Sequence, residues 1–99
     1  MTEMNEVQKR IWKRMMSSIA TYRSTRTGFY KMVGDLEGGL DAGEFNDQTL
    51  VRGFYDVWGD LEIARAIDGD NVRFAEVDDP LDAMERFLRD KLNDAEGSA

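Results

Sequence analysis

Apolar residues recur every three or four positions in four stretches of this chain, and a stripe of that period can be buried only when helices pack face to face. Met4, Val7, Ile11, Met15, Ile19 and Tyr22 form the first stripe, with Thr2 as a candidate N-cap. The stripe resumes at Phe29, Val33, Leu36 and Leu40 after Ser24-Thr25-Arg26-Thr27-Gly28. Those are weak helix formers with cap-type hydroxyls, so a break into two helices is expected, with one long bent helix as the alternative. Gly38, Gly39 and Gly43 then punctuate the chain, and Asn46-Asp47 offers a cap for the strongest stripe: Leu50, Phe54, Val57, Trp58, Leu61, Ala64, Ile67. A third helix is predicted over 47–68, ending at Gly69. Residues 69–77 read as a loop whose Val72, Phe74 and Val77 tuck under the helices or form one short extended piece. Asp79 and Pro80 then supply an N-cap and a first-position proline for a last helix carrying Leu81, Met84, Phe87, Leu88 and Leu92, with residues 95–99 fraying.

Three to four amphipathic helices with short connections and no strand-type alternation predict an all-α fold, a small antiparallel helix bundle. The 99 residues allow one core, so a single domain over 1–99 is expected. The chain has no cysteine and no histidine, which removes disulfides, thiolate metal sites and the commonest general base and transition-metal ligand. No apolar run approaches the roughly 20 residues of a membrane span, and the first residues lack the apolar stretch of a signal peptide, so a cytoplasmic protein without a membrane partner is expected.

Charge is unevenly divided. Residues 1–34 hold seven bases against two acids, a net of +5, whereas residues 35–99 hold 18 acids against six bases, a net of −12. A field of one sign steers association with a partner of the other. The acids Asp56, Asp60, Asp68, Asp70, Glu76, Asp78, Asp79 and Asp82 stand closer together than solubility demands and suit a basic partner, against the plainer reading of a solvated face. Asp56 and Asp60, one helical turn apart and off the stripe, should stand side by side in water. Trp58 is expected to anchor the core, its indole N–H seeking a carboxylate or carbonyl, and Gly59 inside the helix costs about 1 kcal/mol against Ala unless something approaches closely there.

Other chemistries fit poorly. Asp68-Gly69-Asp70-Asn71 opens like a calcium loop, but Arg73 stands where the sharp turn needs glycine, and Asp79 where a bidentate Glu belongs. The glycines at 38, 39 and 43 lack the lysine and spacing of a phosphate loop. No two of the 20 acids are singled out as an acid–base pair, so neither an enzyme nor a cofactor is expected. Lys9, Arg10, Lys13 and Arg14, next to Trp12, make a basic band suited to nucleic acid. A sequence pI near 4.5 opposes that reading, and pairing of these bases with acids of other helices is the simpler account.

Met32-Val33-Gly34-Asp35-Leu36-Glu37-Gly38-Gly39-Leu40, followed by Leu50 through Ala66 with Phe54, Trp58, Leu61-Glu62 and Ala64 at helical steps, resembles the small helical immunity proteins of bacterial toxin systems. The likeness is to the colicin D immunity type and to immunity partners of contact-dependent or polymorphic toxins, and it covers roughly 29–92. It implies a compact helical protein that binds one cognate toxin, often a basic nuclease, and occludes its active site without chemistry of its own. Exposed carboxylates suit such a site, because a pocket that holds phosphates is basic. The expected contact residues are Asp56, Asp60, Glu62, Asp68, Asp70, Glu76, Asp78 and Asp79, with Glu62 alternatively a structural partner of Trp58 or Arg65. Two other readings compete. One is a nucleic-acid or phage-type regulatory module working through Lys9, Lys13 and Arg14; the other is a homo-oligomer, at least a dimer, burying Met4, Ile11, Trp12 and Met15 between copies.

Overall fold

The helix starts and stops are set by local chemistry that a computed structural model makes explicit for residues 3–97. Asn5 caps helix α1 (Glu6–Thr25): its side chain accepts from the Gln8 N–H at 2.8 Å while the Gln8 side chain accepts from the Asn5 N–H at 3.0 Å, a reciprocal capping box. The cap is therefore Asn5; Thr2 lies outside the described residues. Arg26 takes a left-handed conformation, φ 54°, and Gly28 another, φ 77°, so the chain reverses within three residues and α2 (Phe29–Ala42) begins. Two helices are formed, as the run of weak helix formers predicts. Asp47 caps α3 (Gln48–Asp68) through the N–H groups of Thr49 and Leu50, and Gly69, φ 56°, ends it.

The last helix departs from expectation. After a 3-10 turn at Gly69–Asn71, α4 runs Phe74–Glu96 with Arg73 as N-cap, so Pro80 lies inside the helix and Asp79 is not its cap. A proline there removes one backbone bond. What offsets it is tertiary: Val77 is buried, and Asp82 and Asp78 are held by Arg23 of α1 and by Arg26 just after it. At the other end Ala95 and Glu96 are helical rather than frayed, and Lys13 pairs with Glu96 at 3.3 Å; Ser98 and Ala99 lie outside the described residues.

The four helices run up, down, up and down, and each packs on its two neighbours around the ring, with no backbone approach across the diagonals among the described residues. Trp12, Ile19, Phe29, Leu36, Phe54, Leu61, Leu81 and Leu88 fill the interior. The seam of α1 is Trp12, Met15, Ile19 and Tyr22, so Trp12 belongs to the core and not to the basic band. Val7 is left 59% exposed. Met4, Trp12 and Met15 lie in the core of the single molecule, with Ile11 partly buried against it.

Each tryptophan ties a helix pair. Trp12 Nε1 donates to the Leu88 carbonyl of α4 at 2.8 Å, and Trp58 Nε1 donates to the Val33 carbonyl of α2 at 3.0 Å. The Trp58 partner is thus a carbonyl, one of the two kinds of acceptor expected. Replacing Trp12 by Phe should destabilise the bundle by about 1–3 kcal/mol, from a lost hydrogen bond and a residual void. Urea denaturation followed by circular dichroism measures it; an unchanged midpoint would show that the indole does not close the ring.

Candidate functional site

The helical frame sorts the acidic residues into those the fold uses and those it leaves free. Asp70 Oδ1 accepts from the Tyr30 N–H at 2.8 Å, closing the first turn of α2, whose own N-cap Gly28 has no side chain to do so. Asp78 pairs with Arg26 at 2.9 Å, and its carbonyl accepts from Arg23 at 3.0 Å. Glu62 lies 2.5 Å from Arg65 one turn on, a charge contact without hydrogen-bond alignment, and the Arg65 guanidinium sits over the rings of Tyr30 (4.9 Å) and Trp58 (5.8 Å). Glu76 is 3.9 Å from Arg73 on the solvent side. Glu76, Asp78 and Asp79 lie in the first two turns of α4, where carboxylates complement the helix dipole.

Asp56, Asp60, Asp68 and Asp79 are exposed, and none is in an ion pair or side-chain hydrogen bond among the described residues. The eight acids singled out in the sequence therefore do not share one state. Asp70, Asp78 and Glu62 serve the fold, whereas Asp56 and Asp60 stand on the outer face of α3. Ile63 and Ile67 share that face at 59% and 74% exposure. Ile67 was expected on the buried stripe, but at about 100° per residue it lies about 120° round the helix from Leu61, on the solvent side. The off-stripe position of Ile63 was the one sequence signal for an apolar surface here.

The arginines at the end of α1 are neutralised by acids of α4. Arg23 binds Asp82 at 2.7 Å and also pairs with Glu85, while Arg26 spans Asp78 and the Phe74 ring at 4.9 Å. Burial alone would lower the Arg23 pKa, but its hydrogen bond to Asp82 and the charges of Glu85, Asp82 and Asp78 outweigh that and raise it. Arg26 is raised chiefly by its hydrogen bond to Asp78. In the basic band Lys9 pairs with Glu6 and Lys13 with Glu96, while Arg10 and Arg14 make no ion pair among the described residues.

Between α1 and α2 runs an open groove of about 490 Å³, lined in part by Arg14, Ser18, Lys31, Gly38 and Ala42. Its one carboxylate, Asp35, is held by Lys31 at 2.6 Å. Among the described residues no group of three or more acids could hold a metal ion, and no helix is long and apolar enough to cross a membrane. Comparison with protein-family models, with curated proteins and with solved structures gives no match to this chain.

Two measurements separate structural from free groups. Asp70→Ala should cost about 1 kcal/mol of stability through the lost cap, whereas Asp56→Ala should change it by less than about 0.5 kcal/mol or raise it slightly, because it relieves repulsion with Asp60; urea midpoints decide. Tyr55 donates to Glu37 Oε2 at 3.0 Å, and burial first, then that bond, raise its pKa above 10.0. The neutral phenol is the favoured form, so its contribution is fully present below about pH 10 and is lost as pH rises through the higher folded value. Absorbance titration of the wild type minus Tyr55→Phe should give a one-phenol curve with its midpoint above 10.

Proposed function

We propose that the chain is a non-enzymatic inhibitor of a basic protein, an immunity protein that occupies the active site of a cognate toxin, of which a nuclease is the simplest case. The observation that carries the reading is the division of charge. The arginines near the end of α1 are satisfied by α4, while Asp56 and Asp60 are left exposed without a base. Unpaired carboxylates on a rigid helix keep their positions when a partner arrives, so little ordering entropy is lost on binding. They also raise the encounter rate with a cationic cleft and can accept charge-assisted hydrogen bonds from the lysines and arginines that would otherwise hold phosphate. An inhibitor of this kind acts where its target would do damage, which agrees with a cytoplasmic protein. It needs no cofactor.

Immobilised protein should capture one basic protein from a lysate of the source cells at low salt and release it at high salt. Asp56→Lys and Asp60→Lys should each slow association with that captured partner by about tenfold at low ionic strength while the fold is kept. Recovery of nucleic acid alone, or an association rate indifferent to both substitutions and to salt, would remove this reading.

A further inference from the structure

The outer face of α3 carries a feature that its acids do not explain. Gly59 lies in the middle of the helix with ordinary backbone angles, and a Cβ built on it would meet nothing within 4 Å. Nothing inside the molecule requires glycine there, although it costs about 1 kcal/mol of helix stability against alanine. The glycines at 34, 39 and 53 differ, since each has a side chain of another helix within contact distance of a Cβ, whereas Gly38 of α2 is as open as Gly59 but lines the α1–α2 groove beside a paired Asp35. Arg52, Asp56, Gly59, Asp60, Ile63, Ala66 and Ile67 recur at three- and four-residue steps, so they form one strip about 22 Å long. Gly59 leaves the strip without a side chain at its middle, with Ile63 and Ile67 one and two turns on and Asp56 and Asp60 next to it. Arg52, the strip's one base, makes no ion pair with Asp56.

We infer that this strip is the docking surface for a cationic amphipathic helix of a partner protein, seated over Gly59 with apolar side chains on Ile63 and Ile67 and lysine or arginine on Asp56 and Asp60. The inference rests on the reading of the chain as a binder of basic proteins and assigns the surface and the shape of what binds. Two helices approach to about 8–10 Å according to the side chains between them, so a glycine at the crossing lets the partner backbone come close. The two isoleucines supply the apolar centre that gives an interface its affinity, while the carboxylates at its edge select charge and steer approach. The length of the strip matches a helix of about 15 residues. Gly59 then trades stability of the free protein for closeness in the complex.

The test uses the full chain, uniformly labelled with ¹⁵N, and a synthetic amphipathic peptide of leucine and lysine arranged at helical spacing, with a leucine–glutamate peptide of the same pattern as control. Amide shift changes should be confined to residues 52–67, and the leucine–glutamate peptide should cause none. Ile63→Ser with Ile67→Ser should weaken the leucine–lysine peptide at least fivefold. Gly59→Ala should raise the thermal midpoint yet weaken the peptide, and Gly59→Leu should weaken it further. That opposition is something a merely structural glycine would not produce. Shifts mapping to the α1–α2 groove or spread over all acidic surfaces, no binding at all, or Gly59→Leu binding like the wild type would each overturn the inference. Peptide docking on the strip without capture of a toxin-like protein would remove the immunity reading alone. Capture of such a protein with an affinity indifferent to Ile63, Ile67 and Gly59 would remove the strip alone.

Discussion

Helices α1 and α4 lie at opposite ends of the chain, and the ring of helices closes only where side chains of α1 reach α4. Trp12 does so at the apolar level, buried and hydrogen-bonded to the Leu88 carbonyl 76 residues away. Arg23 does so at the polar level, gathering the Asp78 carbonyl, Asp82 and Glu85. An indole in the core stabilises mainly through its area, and its one polar atom has to find an acceptor. A guanidinium with several donors in a fixed fork can hold two turns of a helix at once. Together they set the register of α4, and with it the start of that helix at Phe74.

Closure also decides which charges are left over. In sequence the chain is a basic third followed by an acidic remainder, and either part is a plausible recognition surface. Folding sets much of one against much of the other: Arg23, Arg26 and Lys13 meet Asp82, Glu85, Asp78 and Glu96. These pairs are partly exposed, and their energetic value is modest. Their consequence is electrostatic: they mask the basic end of α1 at Arg23 and Arg26, leave Arg10 and Arg14 uncovered, and leave α3, the helix farthest from α1 in the ring, with Asp56 and Asp60 in no ion pair among the described residues. The acids with structural work do it in different ways. Asp70 caps a helix that lacks its own cap, and Glu62 helps hold Arg65 against the aromatic rings between α2 and α3.

The tryptophans show how the two levels of description differ. Trp58 lies on a clear stripe with Leu61, so its burial is legible from spacing alone. Trp12 lies among Lys9, Arg10, Lys13 and Arg14, and its neighbours in sequence suggest a surface. It is buried because the seam of α1 runs through 12, 15, 19 and 22 rather than through 7 and 11, and two stripes that share members at 15, 19 and 22 cannot be told apart until a partner helix chooses. The same holds for Ile67, which continues the apolar spacing of α3 but falls on the wrong side of the helix once Leu61 faces the core.

The all-α class, the break at Arg26–Gly28 and the course of α3 from the Asp47 cap to Gly69 follow from the sequence by itself, because periodicity, caps and glycines act over a few residues. The start of α4, the burial of Trp12 and the division of acids into structural and free were decided only by the tertiary structure. Asp79-Pro80 is a sound local start signal, yet it is overridden by the burial of Val77 and by two arginines more than 50 residues away. Asp56 and Asp78 are both aspartates next to a valine within a helix. What separates them is that one faces water and the other faces Arg26, a difference set by which helices touch, and no local pattern contains it.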